Sequence, residues 1–217
     1  MALYLTITQT KGGVGKTATA LHLAAWHSRK GANVVVVDCD INRSAIKYAR
    51  RGDDQGLPFS VVDIRSAAKA TRSADVVISD TRASAEQEEL ESLAEGSDLI
   101  VIPCPPEAGA YEDMLEMTQL LNRLQVPYIV LVNRIPPANP RKGDDLKAGL
   151  VAAGVAHLST VIREYDAYRK AELAGVPVYD ARTDDGRPDA KRNIAWSDYD
   201  SAARELQAHL DAIAGQS

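Results

Sequence analysis

The chain has 217 residues, of which 45% are hydrophobic, and a formal net charge of -5 at pH 7. This length and apolar content predict a single domain, residues 1–217, with a sizeable core. The acidic balance argues against a basic coat, so any contact with nucleic acid would have to come from a local patch. No apolar run approaches the roughly 20 residues of a membrane span, and no signal peptide precedes the first run, so we expect a cytoplasmic protein.

Five apolar runs predict β-strands. They cover residues 3–8, 33–38, 75–80, 98–103 and 128–133. Near-continuous Val and Ile are typical of strands buried on both faces of a parallel sheet. Because helical patterns separate most of these runs, the sequence predicts an α/β fold with a doubly wound, mostly parallel sheet and helices on both faces. In such sheets ligands bind at the carboxyl ends of the strands.

A glycine-rich segment, Thr-Lys-Gly-Gly-Val-Gly-Lys-Thr at 10–17, lies between the first run and an Ala- and Leu-rich helical pattern. Its backbone N–H groups can surround a phosphate, Lys16 can reach the outer phosphates, and the Thr17 hydroxyl can bind Mg²⁺ at a helix N-terminus. The general P-loop has a glycine where this chain has Thr10, and Lys11 is additional. A glycine-rich turn without a ligand is the alternative, but these residue types have no packing reason to coincide at this spacing.

The motif Lys-Gly-Gly-x-Gly-Lys-Thr resembles the deviant Walker A loop of the ParA/MinD family of P-loop ATPases. The resemblance implies that the protein binds ATP and Mg²⁺ and forms a homodimer. It also implies that Lys11 and Lys16 are catalytic, with Lys11 crossing the dimer interface to the partner's nucleotide. The residues that it assigns to nucleotide binding in this segment are Gly12, Gly13, Val14, Gly15, Lys16, Thr17 and Ala18.

Acidic residues follow the second and third runs. Asp38 and Asp40 lie two residues apart, and Asp80 follows Val76-Val77-Ile78. Acids at strand ends beside a phosphate loop suit the handling of Mg²⁺ and water, although Asp also makes turns and helix caps. The resemblance implies that Asp40 is catalytic and orients the attacking water. It also implies a metal site formed by Thr17, Asp38 and Asp80.

Two positions depart from the family's pattern. Ile41 and Asn42 stand where the family usually has Pro-Gln, so contacts carried by that pair are in doubt. Arg82 follows the third acid, where prolines are usual. Its cation could stabilise charge on the phosphates, point to solvent or pair with Glu86 one turn on.

Asn133 ends the fifth run, just before two prolines. An amide donates and accepts at once, which suits the edge of adenine, although Asn also forms turns there. In the family the matching asparagine contacts the base and the chain near residues 175–178 closes over it. The resemblance therefore implies that Asn133 and Pro177 bind the adenine base, and no guanine-binding motif is visible.

The last third of the chain looks like the segment that binds DNA without sequence preference in ParA proteins. The resemblance assigns DNA contacts to four residues: Arg163, Arg169, Lys191 and Arg192. Such contacts go to phosphates and weaken with salt. Acids are interleaved with these cations, so a mixed solvated surface is the alternative.

An amphipathic helix is predicted near the C-terminus, and its acidic polar side does not suit anionic lipid, so we expect no membrane binding. The resemblance then implies a small ParA-type ATPase that binds DNA as an ATP-dependent homodimer and is nucleoid-associated in that state. A ParB-like or other adaptor protein would stimulate hydrolysis, and the cargo would be a plasmid, a chromosome or a large protein assembly. A MinD-like positioning ATPase without DNA and a metabolic P-loop enzyme stay as alternatives.

Overall fold

The computed structural model describes residues 2–52, 56–83, 91–92 and 95–215. Its centre is a six-stranded sheet in the order β3-β2-β4-β1-β5-β6, in which every neighbouring pair is parallel. The strands are β1 (Leu3–Ile7), β2 (Val34–Asp38), β3 (Ser60–Asp63), β4 (Val76–Asp80), β5 (Leu99–Cys104) and β6 (Tyr128–Val132). Because all six run the same way, their carboxyl ends meet at one edge of the sheet.

Helices cover both faces of this sheet, which confirms the doubly wound α/β prediction. Those in the described residues are α1 (Lys16–Arg29), α2 (Ser44–Arg51), α3 (Ile64–Ala70), α4 (Ala108–Leu124), α5 (Arg141–Ala152), α6 (Asp166–Ala174) and α7 (Arg192–Ala214). On one face α1, α2 and α7 share a core with β1, β2, β4 and β5. On the other, α4 and α5 cover β5 and β6, while α3 covers β2 and β4.

Strand β2 shows why a valine run predicts a strand buried on both sides. Val34 and Val36 pack in the core beneath α1, whereas Val35 and Val37 pack beneath α3. All four are at most 4% exposed. Side chains alternate between the faces of a strand, so only a continuous apolar run fills both cores, at about 1.5–3 kcal/mol per buried side chain.

The sequence prediction has no strand at β3, and here it was wrong. This edge strand has only four residues, its two valines are half-buried and Ser60 is exposed, so no apolar run marks it. Strand β5 extends one residue beyond the predicted run, through Pro103 to Cys104. Pro103 is in register with Leu131 of β6, but Ile100 and Cys104 are the residues that hydrogen-bond towards β6, so the nitrogen of Pro103 faces β1. The β1–β5 pairing has already ended at Ile7 and Val101, so the missing N–H breaks no ladder hydrogen bond.

Helix α7 packs against α1, in the core that α1 shares with the sheet. Its Tyr199, Ala202 and Leu206 are buried in the core shared with α1. The indole Nε1 of Trp26 on α1 donates to Asp200 at 2.9 Å, and Trp196 on α7 lies beside Arg29 of α1, 5.8 Å from ring centroid to guanidinium carbon. None of the helices in the described part of the chain is both long and apolar enough to cross a bilayer.

Three glycines let α2 and α6 approach through their backbones alone. A Cβ on Gly52 or Gly56 would collide with the carbonyl oxygen of Gly175, and a Cβ on Gly175 would collide with the nitrogen of Gly52. Gly175 also ends α6 with φ at +65°, in the left-handed region. Tyr48 of α2 adds a hydrogen bond from its hydroxyl to the carbonyl of Val176 at 2.8 Å. The segment after α6 is thus held against α2.

Replacing Gly175 with alanine tests this contact. We expect Gly175→Ala to lower the free energy of unfolding by about 3–5 kcal/mol, because left-handed backbone and a steric collision add. Gly154→Ala is the matched control, since Gly154 has φ at +66° with nothing within 4 Å of its Cβ position. It should cost about 1–2 kcal/mol. Equal losses in urea titrations of the two variants would contradict the close approach.

Candidate nucleotide site

The glycine-rich loop leaves the carboxyl end of β1 and leads into α1. Gly13 and Gly15 have φ of 75° and 92°, which side chains rarely adopt, and Gly15 caps the helix. A Cβ on Gly15 would lie 2.8 Å from Nδ2 of Asn133. No side chain caps the first turn of α1, so its N–H groups are open to an anion. This curvature is what a phosphate cradle needs.

Lys16 is the first residue of α1, and its side chain turns back into the loop. Its Nζ donates to the carbonyl oxygens of Gln9 at 2.9 Å and Lys11 at 3.0 Å, and the residue is 7% exposed. Burial lowers the pKa of Lys16, and the nearby carboxylates of Asp80 and Asp40 oppose that shift. The ammonium group therefore points into the loop, where backbone carbonyls and the carboxylates of Asp80 and Asp40 compensate its charge.

Asp80 at the end of β4 meets this loop directly. The parallel register places it opposite Ile7 of β1 and Asp38 of β2. The Thr17 hydroxyl donates to Asp80 Oδ2 at 2.7 Å, while Oδ1 is buried without a hydrogen-bond partner. Burial raises the pKa of Asp80 to about 7, against the Thr17 hydrogen bond and despite the attraction of Lys16. Two of the three predicted metal-binding residues are thus in contact.

Asp38, the third predicted metal-binding residue, has a structural role. Its Oδ1 accepts from the backbone N–H of Asp40 at 3.0 Å and its Oδ2 from that of Ile46 at 2.9 Å, so it shapes the turn from β2 into α2. Burial raises its pKa. Asp40 is half-buried and lines the cleft above the loop, and its own Oδ1 accepts from the N–H of Asn42 at 2.8 Å. That Asp38 binds a metal stays a prediction.

These residues fit a nucleotide with Mg²⁺. Asp80 has a buried oxygen without a partner, and a carboxylate beside a hydroxyl is the kind of oxygen ligand set that Mg²⁺ takes. The uncapped N-terminus of α1 and the ammonium group of Lys16 suit phosphate oxygens. Thr17 and Asp80 would hold the metal, and the loop would hold the phosphates.

A charged network that the sequence reasoning missed surrounds the loop. Arg134 donates from Nη1 to the carbonyl of Gly13 at 2.8 Å and from Nε and Nη2 to Glu164 at 3.0 and 2.9 Å. Nζ of Lys11 lies 3.4 Å from Oε2 of Glu107, which also faces Arg134. Lys11 is thus paired within its own chain. Sequence position gave no signal for Arg134, whose left-handed φ of 52° aims it back at the loop.

The two residues predicted to bind the adenine base lie in different surroundings from each other. Asn133 is 2% exposed, donates from Nδ2 to the carbonyl of Val14 at 2.8 Å, and keeps a buried Oδ1 without a partner. It lines the cleft and braces the phosphate loop. Pro177 is buried and is not among the residues that line the cleft. The N–H of the next residue, Val178, donates to Nε2 of His22 at 3.2 Å.

An aromatic wall that includes His22 bounds a cleft of about 790 Å³ above the loop, a volume typical of small-molecule sites. His22 stacks on Tyr199 at 4.7 Å, and its Nδ1 donates to the carbonyl of Ala18 at 2.6 Å. Burial lowers the pKa of His22 to about 4, so the ring is neutral at pH 7 and Nε2 can accept from Val178. No sequence pattern indicated His22, whose place in the site is visible only from its contacts in the folded chain.

Three of the residues predicted to bind DNA are divided between two clefts. Arg163 and Arg169 line the nucleotide cleft, whereas Arg192 lines a separate cleft with Arg29. Arg163 is bound through Nε and Nη2 to the buried carboxylate of Asp198. Further contacts to acidic residues hold two of the others: Arg169 to Asp166 at 2.8 Å, and Arg192 to the Asp189 carbonyl at 3.2 Å. Lys191 is exposed.

The second departure, Arg82, is half-buried. Glu86, its predicted partner, lies outside the described residues. The other departure is visible: Ile41 is 87% exposed at the tip of the turn that carries Asp40. An apolar side chain therefore stands at the mouth of the cleft.

A glycine-rich loop between the first strand and first helix, with its lysine inside and an aspartate at the end of the neighbouring strand, defines a P-loop nucleotide-binding fold. The model of the CobQ/CobB/MinD/ParA nucleotide binding domain matches residues 5–178. The chain belongs to this family, and the resemblance seen in segment 10–17 is confirmed.

Several members of the family are similar along most of their length. Maintenance of carboxysome distribution protein A from Gloeobacter kilaueensis is 28% identical over 205 residues, 90% of each chain. Protein ParA from Rhizobium radiobacter is 29% identical over 176 residues, which cover 75% of this chain and 78% of that one. The structure of MinD with Mg-ADP from Pyrococcus horikoshii has a TM-score of 0.66 at 19% identity, covering 97% of this chain and 99% of that one, a likeness in fold.

The buried carboxylate of Asp80 predicts a pH-dependent stability. Above pH 7 the carboxylate of Asp80 is ionised in both states, but it is buried in the folded chain and hydrated in the unfolded chain, which lowers the free energy of unfolding. We therefore expect Asp80→Asn to stabilise the nucleotide-free protein at pH 8 by about 2–4 kcal/mol. From pH 7 to pH 4 the folded carboxyl binds a proton that the unfolded one does not, so the gain shrinks, and below pH 4 it disappears.

Urea titrations at pH 8, 6 and 4 measure this gain. Asp145→Asn, at an exposed position in α5, is the control and should change stability by less than about 0.5 kcal/mol at each pH. A destabilised Asp80→Asn at pH 8 would contradict the buried, poorly compensated carboxylate.

Proposed function

We propose that this protein is an Mg²⁺-dependent ATPase that dimerises around two ATP molecules, binds DNA without sequence preference and positions a cargo. A partner protein, ParB-like or another adaptor, stimulates hydrolysis that is slow without it. The observation that carries the proposal is the meeting of Lys16 and Thr17, at the end of the loop that Lys11 opens, with Asp80 at the end of β4. The name of one similar protein, which concerns carboxysome distribution, supports the cargo-positioning part.

The chemistry follows from charge and position. When bound, Mg²⁺ neutralises charge on the phosphates, and Thr17 and Asp80 are the residues to hold it. Lys16 donates to phosphate oxygens in place of the carbonyls of Gln9 and Lys11. Asp40 accepts a hydrogen bond from the attacking water and orients it. Phosphoryl transfer needs little beyond such positioning and electrostatic stabilisation.

Dimerisation requires Lys11 to change partners. In the single chain its ammonium lies beside Glu107, and the lysine and glutamate side chains are 35% and 48% exposed. A half-exposed pair of this kind contributes at most about 1 kcal/mol, so phosphate of a second subunit's nucleotide can replace the glutamate. Ile41 at the cleft mouth offers apolar surface that a second copy would cover.

The alternative is a MinD-like positioning ATPase that acts without DNA. The pairing of Arg163 with Asp198 favours it, because that guanidinium already has its anion. A mobility-shift titration with unrelated duplexes, with and without ATP, separates the two functions. Failure of ATP to increase retention of any duplex at low salt would exclude the DNA-binding function and leave the alternative.

Asp40→Ala should separate ATP binding from hydrolysis. Without the carboxylate that orients water, we expect hydrolysis to fall by at least 100-fold while ATP stays bound and the dimer accumulates. Lys16→Ala is the comparison variant and should lose ATP binding and the dimer together. Phosphate release and light scattering with ATP measure both properties. Normal hydrolysis by Asp40→Ala would refute its assignment as the water-orienting residue.

Lys11→Ala should affect assembly more than binding. We expect ATP affinity to change by less than about threefold, with loss of the ATP-dependent dimer and of partner-stimulated hydrolysis. Sedimentation of the Asp40→Ala protein with and without the second substitution isolates the effect on assembly. If the double variant dimerised as well as Asp40→Ala alone, Lys11 would have no role across the interface.

A further inference from the structure

The cations of this acidic chain are concentrated in one segment. Residues 43–72 contain seven Lys and Arg against three Asp, a net charge of +4 in a chain of -5. Residues 163–204, which hold the four predicted DNA contacts, contain eight basic and nine acidic residues, a net charge of -1. A polyanion responds to local potential, so the first segment attracts it and the second does not.

The segment 43–72 forms the β3 edge of the sheet and carries two basic stripes there. Arg43, Lys47 and Arg50 recur at four- and three-residue intervals on the α2 side, and Arg65, Lys69 and Arg72 repeat this spacing on the α3 side. Residues three or four apart share one face of a helix, as do Lys47 and Arg50 in α2 and Arg65 and Lys69 in α3, while Arg43 and Arg72 flank these helices. All six side chains are exposed, and we call them the edge-strand basic surface.

A cleft of about 590 Å³ joins the two stripes across β3. Its charged lining consists of Arg43, Arg50 and Arg65 around Asp63. Asp63 lies 3.1 Å from Nη2 of Arg43 and 2.9 Å from Nε of Arg65, and so holds two guanidinium groups at the rim. One carboxylate thus orients two cations and leaves excess positive charge.

The other four cations of the surface differ from Arg43 and Arg65 in their ion pairing. Within the ranges that the structure describes, no ion pair forms at Lys47, Arg50, Lys69 or Arg72. In contrast, acids hold Arg163 and Arg169. Free cations can release their counterions to a phosphate, whereas a paired guanidinium must first give up its carboxylate.

We propose that the edge-strand basic surface is the DNA-contacting surface of this protein and binds duplex phosphates without reading bases. This rests on the proposed function and moves its DNA contact away from Arg163, Arg169, Lys191 and Arg192. Guanidinium forks match phosphate oxygens. The apolar lining of the cleft is limited to Ile46, Ala49 and Val61, without the aromatic anchors that a protein partner's hot spot uses. Duplex DNA is therefore the occupant.

The same surface is mechanically linked to the nucleotide. The N–H of Arg43 donates to the carbonyl of Asp40 at 2.9 Å, and the carboxylate of Asp38 holds the N–H groups of both Asp40 and Ile46. A shift of the Asp40 turn on ATP binding therefore moves Arg43 and the start of α2 together. DNA affinity through this surface depends on the bound nucleotide for that reason.

Charge reversal tests the assignment in the full-length protein. Fluorescence anisotropy of a labelled 24-base-pair duplex, with ATP and Mg²⁺, compares wild type with Lys47→Glu/Arg50→Glu over a series of KCl concentrations. We expect at least tenfold weaker binding and a logarithmic salt slope smaller by about 2, one for each lost phosphate contact. The milder Lys47→Gln/Arg50→Gln should lose affinity in the same direction. Affinity for a fluorescent ATP analogue should not change.

The matched control is Arg141→Glu/Lys142→Glu at the start of α5, which makes the same charge change beside β6 at the opposite edge of the sheet. We expect its affinity for the duplex to change by less than threefold. An equal loss in this control would show a general charge effect and overturn the assignment.

Other outcomes overturn one claim or both. If Lys191→Glu/Arg192→Glu abolished binding while Lys47→Glu/Arg50→Glu bound like wild type, the assignment would fail and the DNA-binding function would stand. If poly-glutamate competed as strongly as DNA of equal charge, the ligand of this surface would be an acidic protein segment and not DNA. Wild-type protein that binds no duplex with ATP would overturn both the function and this surface.

Discussion

The site depends on a charge that has no access to water. Asp80 is fully buried at the end of a central strand, and within the described residues the Thr17 hydroxyl and the nearby Lys16 compensate its charge. A buried charge persists only while its neighbours keep their geometry, because moving them leaves it unsolvated. β1, β4 and the start of α1 are therefore constrained together, and stability of the empty protein is lowered where the ligands will bind.

The fold could be predicted from the sequence wherever burial was continuous. The valines of β2 fill two cores, and their continuous run predicts a strand. Strand β3 lies at the edge and buries too few apolar side chains to produce a recognisable pattern. Pro103 shows the limit of local rules, since its effect depends on whether the strand that its nitrogen faces, β1, extends that far. A strand can be recognised from sequence by its apolar run only when both of its faces are buried.

The site was predictable where its residues lie together in sequence. Lys16 and Thr17 lie within one loop, and strand ends carry Asp40 and Asp80 to it, so spacing and the parallel sheet suffice. Arg134 and His22 act through contacts with Gly13 and Val178, far away in sequence, and no spacing rule reaches them. A sequence also shows where cations are, but not which carboxylate neutralises each, as Arg163 with Asp198 demonstrates.

The packing of α1 against α7 has an optical consequence. The chain has two tryptophans, and Trp26 and Trp196 both lie where these helices meet, one bonded to Asp200 and the other beside Arg29. Neither lines the nucleotide cleft. A base bound in the cleft would not quench them by contact. A change in tryptophan emission on adding nucleotide, excited at a wavelength that tyrosine does not absorb, would therefore report a movement of α1, which begins at the phosphate loop, against the C-terminal helix.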